Sequence, residues 1–442
     1  MATAMEFFKL LPKTNCKDCG HPTCLAFAMQ LANGKASLED CPHISEESRK
    51  TLNESSAPPM RTVRIGTGDR AAVMGGETVL YRHERRFVNP TVYAVTVSDG
   101  LSDEEIVSRV GYAASLRFER VGTVFRLDCI SVRNDSGDAE RFSAAASMAA
   151  GSWDSPLILE SESPSAMSAA LDAVKGRRPL ICGAYPGNMD RMMELAKEHG
   201  CPLALRGGTL EETASMAARA KAAGIEDMVL DTGAVTLKQC LERQTAARRA
   251  AVRKKFRALG YPLMNRVGSG EYAVALASVS TMKYGSLVIF DDLKPYEALP
   301  LFTLRNNIYT DPQVPIQVKQ GVYPIGSPDS HSPIMFTTNF SLTYFTVRAD
   351  IEKSKIPVWL QVVNTEGLSV LTAYAAGKFD PEHVAEAFRE SGILDKSDSA
   401  VIVPGLVARM SGKLEEIIGR RAVVGTNESK NIPKHLREFM SG

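Results

Sequence analysis

The chain reads as an α/β multidomain protein: a small N-terminal cysteine module, a TIM-like (β/α)8 barrel, and a C-terminal Rossmann- or flavodoxin-like α/β domain. Three observations carry this reading. Four of the eight cysteines, Cys16, Cys19, Cys24 and Cys41, fall in the first tenth of the 442-residue chain with spacing C-x2-C-x4-C-x16-C-P. From about residue 62 to 321, short apolar runs alternate with helical stretches at roughly the 20–35-residue pitch of β-α units. After Gly321 the alternation resumes with four more strand candidates. The expected boundaries are 1–45 for the module, 46–60 for a tether, 61–321 for the barrel and 322–442 for the last domain.

Thiolates ligate iron only when several converge on one small volume, and close spacing achieves this most readily. Cys16 and Cys19 fit one loop, with Gly20 relieving its turn. Residues 23–32, TCLAFAMQLA, predict a helix ended by Asn33-Gly34, which returns the chain toward Cys41 and its companion Pro42. Leu25, Ala28 and Leu31 would share the face that shields a cluster. Four thiolates suit [4Fe-4S] better than [2Fe-2S]. A zinc site and a disulfide knot compete with this reading. The first usually pairs two similar C-x2-C knuckles where this chain has one, and the second needs an oxidising compartment. Cys129, Cys182, Cys201 and Cys240 are scattered singly.

Polar SEESRKTLNESSAPPM then predicts the tether at 46–60, which would leave the module mobile. With 44% hydrophobic and 23% charged residues the composition is that of an ordinary globular protein. A net charge of +1 argues against a nucleic-acid partner, and no polybasic run stands out to bind an anionic membrane. No apolar stretch reaches the roughly 18 residues of a spanning helix. The opening MATAMEFFKLLPK is too short and too polar at its end for a signal peptide, so a reducing cytoplasm is expected.

The barrel strands are predicted in VYAVTVSD (92–99), TVFRLDCISV (123–132), PLILES, PLICGA, PLALRG, DMVLDTG, a weaker run near Pro262, and SLVIFD (286–291). Fully apolar short strands imply a sheet buried on both faces. About eight units in ~250 residues fit a closed barrel, with a doubly wound open sheet as the alternative. Asp128, Glu160, Arg206, Asp231 and Asn265 are placed near the strand ends, where barrel enzymes keep catalytic groups.

In the last domain, strands are expected at 334–340, 358–363, 400–405 and 422–426, with turn-rich GVYPIGSPDSHSP before them and a packing helix in KNIPKHLREFM after them. Every strand's carboxyl end is small or polar: Thr337-Thr338-Asn339, Asn364-Thr365-Glu366-Gly367, Pro404-Gly405 and Gly425-Thr426-Asn427. A helix beginning at Gly367 would offer free N–H groups to a phosphate tail, and small side chains would let a flat cofactor approach the backbone. Gly and Thr at such positions also serve as caps and turns, which pattern alone favours. No G-x-G-x-x-G or Walker motif is present. His199 and His331 have no nearby ligand partners in the sequence.

Three features occur together: the motif KTNCKDCGHPTCLAFAMQLANGK…CP, a barrel-like middle, and the tail TTNFSLTYFTVRADI…PVWLQVVNTEGLSVLTAYAAGKF…VIVPGLVARMSGKLEE. Over essentially the whole chain this resembles the large subunits of corrinoid iron–sulfur proteins of the acetyl-CoA (Wood–Ljungdahl) pathway. The archaeal counterparts are the gamma subunits of acetyl-CoA decarbonylase/synthase. The resemblance implies a methyltransferase component in which corrinoid cobalt(I) accepts a methyl group from methyl-tetrahydrofolate or methyl-tetrahydropterin. The methyl group then passes to acetyl-CoA synthase, while the [4Fe-4S] cluster returns stray cobalt(II) to the active state. It implies a heterodimer with a barrel-shaped small subunit. Further partners would be a pterin methyltransferase, CO dehydrogenase/acetyl-CoA synthase, and a reductant or reductive activator.

Carried over by position, the resemblance makes Cys16, Cys19, Cys24 and Cys41 the cluster ligands. It assigns the corrinoid to Thr338, Thr346, Gly367, Leu368, Ser369, Val370, Leu371 and Thr372, with Pro404, Gly405 and Gly425 behind them. It makes the barrel a scaffold for the small subunit, whereas the barrel's own polar residues leave a pterin site open. The D-x-H-x-x-G loop of many cobalamin proteins is missing, because Asp329-Ser330-His331 begins it but Ile334 stands where glycine belongs. An iron–sulfur electron-transfer subunit with a flavin on the C-terminal domain is the alternative, and a stand-alone barrel methyltransferase acting on a pterin is a third reading.

Overall fold

A computed structural model describes residues 4–32, 35–46, 48–49 and 58–441. The expected tether at 46–60 falls largely outside them. Two compact units divide the chain: residues 1–117 with 126–309, and residues 310–442 with 118–125.

The first unit opens with α1 (Ala4–Leu10) and α2 (Cys24–Ala32). Strands β1 (Val63–Ile65) and β2 (Ala72–Met74) form an antiparallel hairpin. The barrel follows: β3 (Val92–Ser98), then, after a second hairpin of β4 (Arg117–Arg120) and β5 (Thr123–Arg126) that groups with the second unit, β6 (Cys129–Arg133), β7 (Leu157–Glu160), β8 (Leu180–Ala184), β9 (Leu203–Leu205), β10 (Met228–Asp231), β11 (Leu263–Gly268) and β12 (Gly285–Phe290). Strands β3 and β6 to β12 pair in parallel, in chain order, and close on themselves through β12 and β3. The helices between and after them are α3 (Asp103–Ser115), α4 (Ala139–Ser152), α5 (Pro164–Ala173), α6 (Met189–His199), α7 (Leu210–Ala222), α8 (Leu237–Arg253), α9 (Gly270–Met282) and α10 (Pro295–Tyr309).

Local chemistry explains these starts. Ser102 accepts the Glu105 N–H while the Glu105 carboxylate accepts the Ser102 N–H at 2.8 Å, a reciprocal cap that begins α3. Ser163, Thr209 and Thr236 cap α5, α7 and α8 in the same sense. Inside the barrel, each strand contributes to one packed layer: Ala94, Cys129, Ile158, Leu180, Ala204, Val229, Met264 and Leu287. Val63, Ile65 and Met74 of the first hairpin join that cluster, so the hairpin plugs the barrel. The run 123–132, expected as one strand, is broken into two. Val121 and Gly122, at φ 49° and 70°, turn β4 into β5, and the chain then starts β6 at Cys129.

The second unit contains β13 (Gly321–Ile325), β14 (Ile334–Thr338), α11 (Ser341–Ser354), β15 (Val358–Val363), α12 (Val370–Ala375), α13 (Pro381–Ser391), β16 (Val401–Val403), α14 (Ser411–Ile418), β17 (Ala422–Val424) and α15 (Ile432–Ser441). The sheet order is β13-β15-β14-β16-β17. Strands β14 to β17 are parallel and β13 is antiparallel to β15. Segment GVYPI, expected as a turn, is therefore an edge strand, which accommodates Pro324 at the sheet margin. The helix expected from Gly367 begins only at Val370.

One buried charge pair lies outside both candidate sites. Arg248 on α8 and Glu77 are 1% and 2% exposed, 3.4 Å apart, with the guanidinium 4.6 Å over the Tyr284 ring. An unpartnered charge at this depth is costly, whereas an apolar pair of similar volume is tolerated. Glu77→Ala is expected to lower stability by about 3–5 kcal/mol in urea unfolding. The double variant Glu77→Leu, Arg248→Met should recover most of that loss, and equal destabilisation of the two would contradict this account.

Candidate functional site

The cysteine loop spans Leu11 to Thr23, and Lys13, Asn15, Lys17 and Gly20 all have positive φ (59°, 51°, 70° and 76°). Repeated left-handed residues in a short loop turn backbone N–H groups toward one concavity, a geometry shared by many anion and iron–sulfur sites. The Asn15 side-chain oxygen accepts the Cys24 N–H at 2.8 Å, and the Thr23 hydroxyl accepts the Ala26 N–H at 3.1 Å, so the loop itself caps α2. His43 Nε2 lies 2.6 Å from Asp18 Oδ2, tying the loop of Cys16 and Cys19 to that of Cys41. This hydrogen bond from His43, with a smaller one from Cys16, holds the Asp18 carboxyl below its usual range.

Cys24 and Cys41 are buried with Phe7, Leu11, Phe27, Ala28, Leu31, Leu38 and Ile44, whereas Cys19 is half-buried and Cys16 exposed. The expected shield of Leu25, Ala28 and Leu31 needs one correction. Leu25 is 38% exposed, and Phe27 takes the inward place because α2 rotates its Cys24–Phe27–Ala28–Leu31 face toward the module core. The four scattered cysteines differ in kind. Burial pushes the Cys182 thiol up to about 12 and the Cys201 and Cys240 thiols up to about 11, so these remain protonated and inert at neutral pH. All eight thiols are free of disulfides.

At the barrel's carboxyl-end mouth, β-strand alternation turns Thr96, Ser131, Glu160, Asp231 and Arg266 inward above the apolar layer. Arg266 Nε lies 2.7 Å from Glu160 and its Nη2 3.0 Å from Cys182 Sγ, while Ser131 donates to Glu160. Asp231 accepts the Gly233 N–H at 2.9 Å and stands 3.8 and 3.7 Å from Arg206 and Arg266. The mouth therefore neutralises itself. Asn265 faces away from the mouth, receiving the Thr232 hydroxyl and donating to Cys240 Sγ at 3.0 Å. Asp128 corrects the expectation outright. It precedes β6, at the opposite end of the barrel, where it accepts the Tyr93 N–H at 2.9 Å and pairs with Arg305.

The second unit holds a mainly apolar cavity of about 280 Å³. Of the residues expected there, Thr346, Val370, Pro404 and Gly425 line it. Thr338, Gly367, Leu368, Ser369, Leu371, Thr372 and Gly405 do not line it. Thr338 is fully buried, Gly405 packs against Asn427, and the others form the loop and first turn of α12. The lining also includes Thr337 and Asn427 of the expected strand-end edge, together with Met335, Thr343, Leu406, Ser429 and His435, which the sequence did not mark as site residues. Two polar atoms facing this region, Thr337 Oγ1 and His435 Nε2, are buried without a hydrogen-bond partner among the described residues. Buried polar atoms seldom stay unsatisfied, so a ligand with polar edges and an apolar body fits these walls.

The strand-end loop has an organiser that the sequence does not announce. The side-chain oxygen of Asn339, 3% exposed, accepts the Gly367 N–H at 2.9 Å and both the N–H and hydroxyl of Thr365 at 3.0 Å. Its amide donates to Gln317 and Asn364 at 3.1 and 3.0 Å. Gly367 sits at φ 77°, and an added Cβ would come within 2.8 Å of Pro315. The N–H expected to await a phosphate is thus already taken, and α12, at six residues, starts beyond it.

A family model described as “CO dehydrogenase/acetyl-CoA synthase delta subunit” matches residues 62–436, and one described as “Putative Fe-S cluster” matches residues 11–43. The chain is 42% identical to the corrinoid/iron-sulfur protein large subunit of Moorella thermoacetica, over 98% of each chain. It is 36% identical to the acetyl-CoA decarbonylase/synthase complex subunit gamma of Methanothermobacter thermautotrophicus, over 99% of each. The names differ in subunit letter. The full-length relatives carry more weight, because the delta-named model leaves out the cysteine module. A solved dihydropteroate synthase of Thermus thermophilus covers 57% of this chain and is itself fully covered, at 14% identity and a TM-score of 0.39, too slight a likeness to argue from.

Asn339→Ala strands two backbone donors at once. It is expected to cost about 2–6 kcal/mol, at roughly 1–3 for each stranded donor, and to open residues 364–369 to limited proteolysis. Unchanged protection of that loop would remove Asn339 from its organising role.

Proposed function

The chain belongs to the family of corrinoid/iron–sulfur protein large subunits and acetyl-CoA decarbonylase/synthase gamma subunits, and from this premise we propose that it is a corrinoid methyl carrier recharged by its own iron–sulfur cluster. A bound corrinoid would supply a nucleophilic cobalt for methyl transfer between methyl-tetrahydrofolate or methyl-tetrahydropterin and acetyl-CoA synthase. A [4Fe-4S] cluster supplies single electrons at low potential.

The observation that carries this reading is the pairing of two dissimilar sites on one chain. Cys16, Cys19, Cys24 and Cys41 would hold the cluster, two of them in an apolar core and one at the surface. Thr346, Val370, Pro404 and Gly425 would help hold the corrinoid, with Thr337 and His435 turning unsatisfied polar atoms toward the cavity they line. Thr338, Gly367, Leu368, Ser369, Leu371, Thr372 and Gly405 would act from the rim and the loop behind it. The order of the parallel strands, second-first-third-fourth, supports a flavodoxin-like reading of this unit, with the ligand outside the strands' carboxyl ends. His331 lies in a loop where its N–H donates to Asp329 at 2.9 Å and does not line the cavity, so this histidine would not hold a corrinoid bound there. The self-neutralised mouth supports the barrel as scaffold for a small-subunit partner. The proposed domains remain 1–45, 46–60, 61–321 and 322–442. No described helix is long and apolar enough to cross a membrane.

Anaerobic purification with the companion chain should yield cobalt, iron and corrin absorption bands. Iron with flavin bands and no cobalt would favour an electron-transfer subunit instead. Cys24→Ala is expected to abolish reductive rescue of the oxidised corrinoid while leaving methyl transfer by already reduced protein within about twofold. Equal loss of both activities would contradict a purely redox cluster.

A further inference from the structure

Helix α8 ends in a charge concentration that the whole-chain balance conceals. From Arg243 to Gly270 the sequence holds eight Lys and Arg residues and no acidic residue. Arg243, Arg248 and Arg266 turn to internal partners: the Thr232 carbonyl at 2.7 Å, Glu77 and Glu160. Arg249, Arg253, Lys254 and Lys255 are exposed, and Phe256 beside them is 49% exposed. Lys255 takes the left-handed position, φ 53°, at which Phe256 N–H returns to Ala250 O at 3.0 Å. That closure fixes the aromatic ring outward among the cations.

Favourable interaction with the helix dipole accounts for cations in the last turn. It does not account for Arg249 one turn earlier, or for an exposed ring at the centre. The patch also touches the cysteine module, since Lys255 Nζ lies 3.4 Å from Glu6 on α1, which packs on the Cys24-bearing α2. On the module, Lys9, Lys13 and Lys17 are exposed, as is Cys16.

We propose that Arg249, Arg253, Lys254 and Lys255, with Phe256 as apolar anchor, dock a small acidic one-electron donor protein that reduces the cluster. This rests on the reading of the four cysteines as cluster ligands. One electron leaves the donor's reduced centre and enters the oxidised cluster; no bond is made or broken and no proton moves. Opposite charge on the donor raises encounter rate and seats it beside the cysteine module, which the patch touches through Lys255 and Glu6. Contact with the electron-entry module is what favours a reductant over an anionic membrane or nucleic acid.

The test is stopped-flow bleaching of the cluster in the complete anaerobic complex, using a reduced acidic ferredoxin and, separately, reduced methyl viologen, a small cation. With ferredoxin, raising ionic strength from about 0.01 M to about 0.15 M shortens the Debye length from roughly 30 to 8 Å and should slow wild-type reduction several-fold. At low salt, the triple variant Arg249→Glu, Arg253→Glu, Lys254→Glu should be reduced by ferredoxin at least about tenfold more slowly. Viologen should reduce both proteins alike. A salt-independent wild-type rate, or equal ferredoxin rates for both proteins, overturns the docking surface while leaving the cluster in place. Failure of viologen to bleach the wild type overturns the cluster assignment and the surface with it. Retention of the wild type, but not the variant, on phosphatidylserine vesicles at about 0.15 M salt would reassign the patch to a membrane.

Discussion

A parallel sheet covered on both faces has most room for polar side chains at its ends. Both large parts of this chain follow that tendency, with Asn265 and Gln361 as hydrogen-bonded mid-strand exceptions, and its consequences differ between them. In the barrel, the top inward layer brings Glu160, Asp231 and Arg266 together, and their charges balance one another beside Ser131 and Cys182, although the buried Thr96 hydroxyl in that layer has no partner among the described residues. In the C-terminal unit, Thr337 and His435 at the corresponding region leave buried polar atoms without partners beside an apolar cavity. An unmet buried donor or acceptor costs about 1–3 kcal/mol, and in the C-terminal unit the unmet atoms stand beside an apolar cavity, where a ligand would meet them.

The parts legible in the sequence are those in which chemistry forces local spacing. Four thiolates that share a cluster must lie close together, so Cys16, Cys19, Cys24 and Cys41 announce themselves, while Cys182 and Cys240 are buried singly in the barrel, each beside one nitrogen donor. Strand–helix pitch likewise exposed the barrel, because each β-α unit needs a fixed length of chain. What stayed hidden was non-local. GLSVLTAYAAGK has strong helix propensity throughout its second half, yet Asn339, 28 residues away, captures the Gly367 N–H and delays the helix to Val370. His435 reaches the cavity from a terminal helix that the pattern marks only as packing, and no periodicity reports what a half-buried face touches. Segment 123–132 shows the opposite failure: two short β-rich runs with one intervening Leu-Asp step look continuous until the hairpin turn at Val121-Gly122 is seen.

Net charge misleads for a related reason. A sum of +1 averages acidic and basic residues that never meet in space, and it passes over the RRAAVRKKFR segment entirely. Only when the helix is drawn does the segment separate into an inward set, neutralised by Glu77, and an outward set carrying Phe256. Charge acts over about a Debye length, roughly 8 Å at physiological salt. The balance that matters to a partner is therefore that of a patch, not of a chain.

The graded burial of the cysteines completes this reasoning. A cluster sealed on all sides would be protected from water but slow to reach, whereas one exposed on all sides would be accessible yet unstable and shifted in potential. Here two ligands lie in a core of Phe7, Phe27 and Leu38, a third is half-covered, and Cys16 alone stands open, on the loop latched by His43 and Asp18. Such asymmetry gives electrons a defined side of entry. A module with one open edge gains most when that edge lies beside a surface able to orient the donor, and the contact between Glu6 and Lys255 supplies that adjacency within a single compact unit.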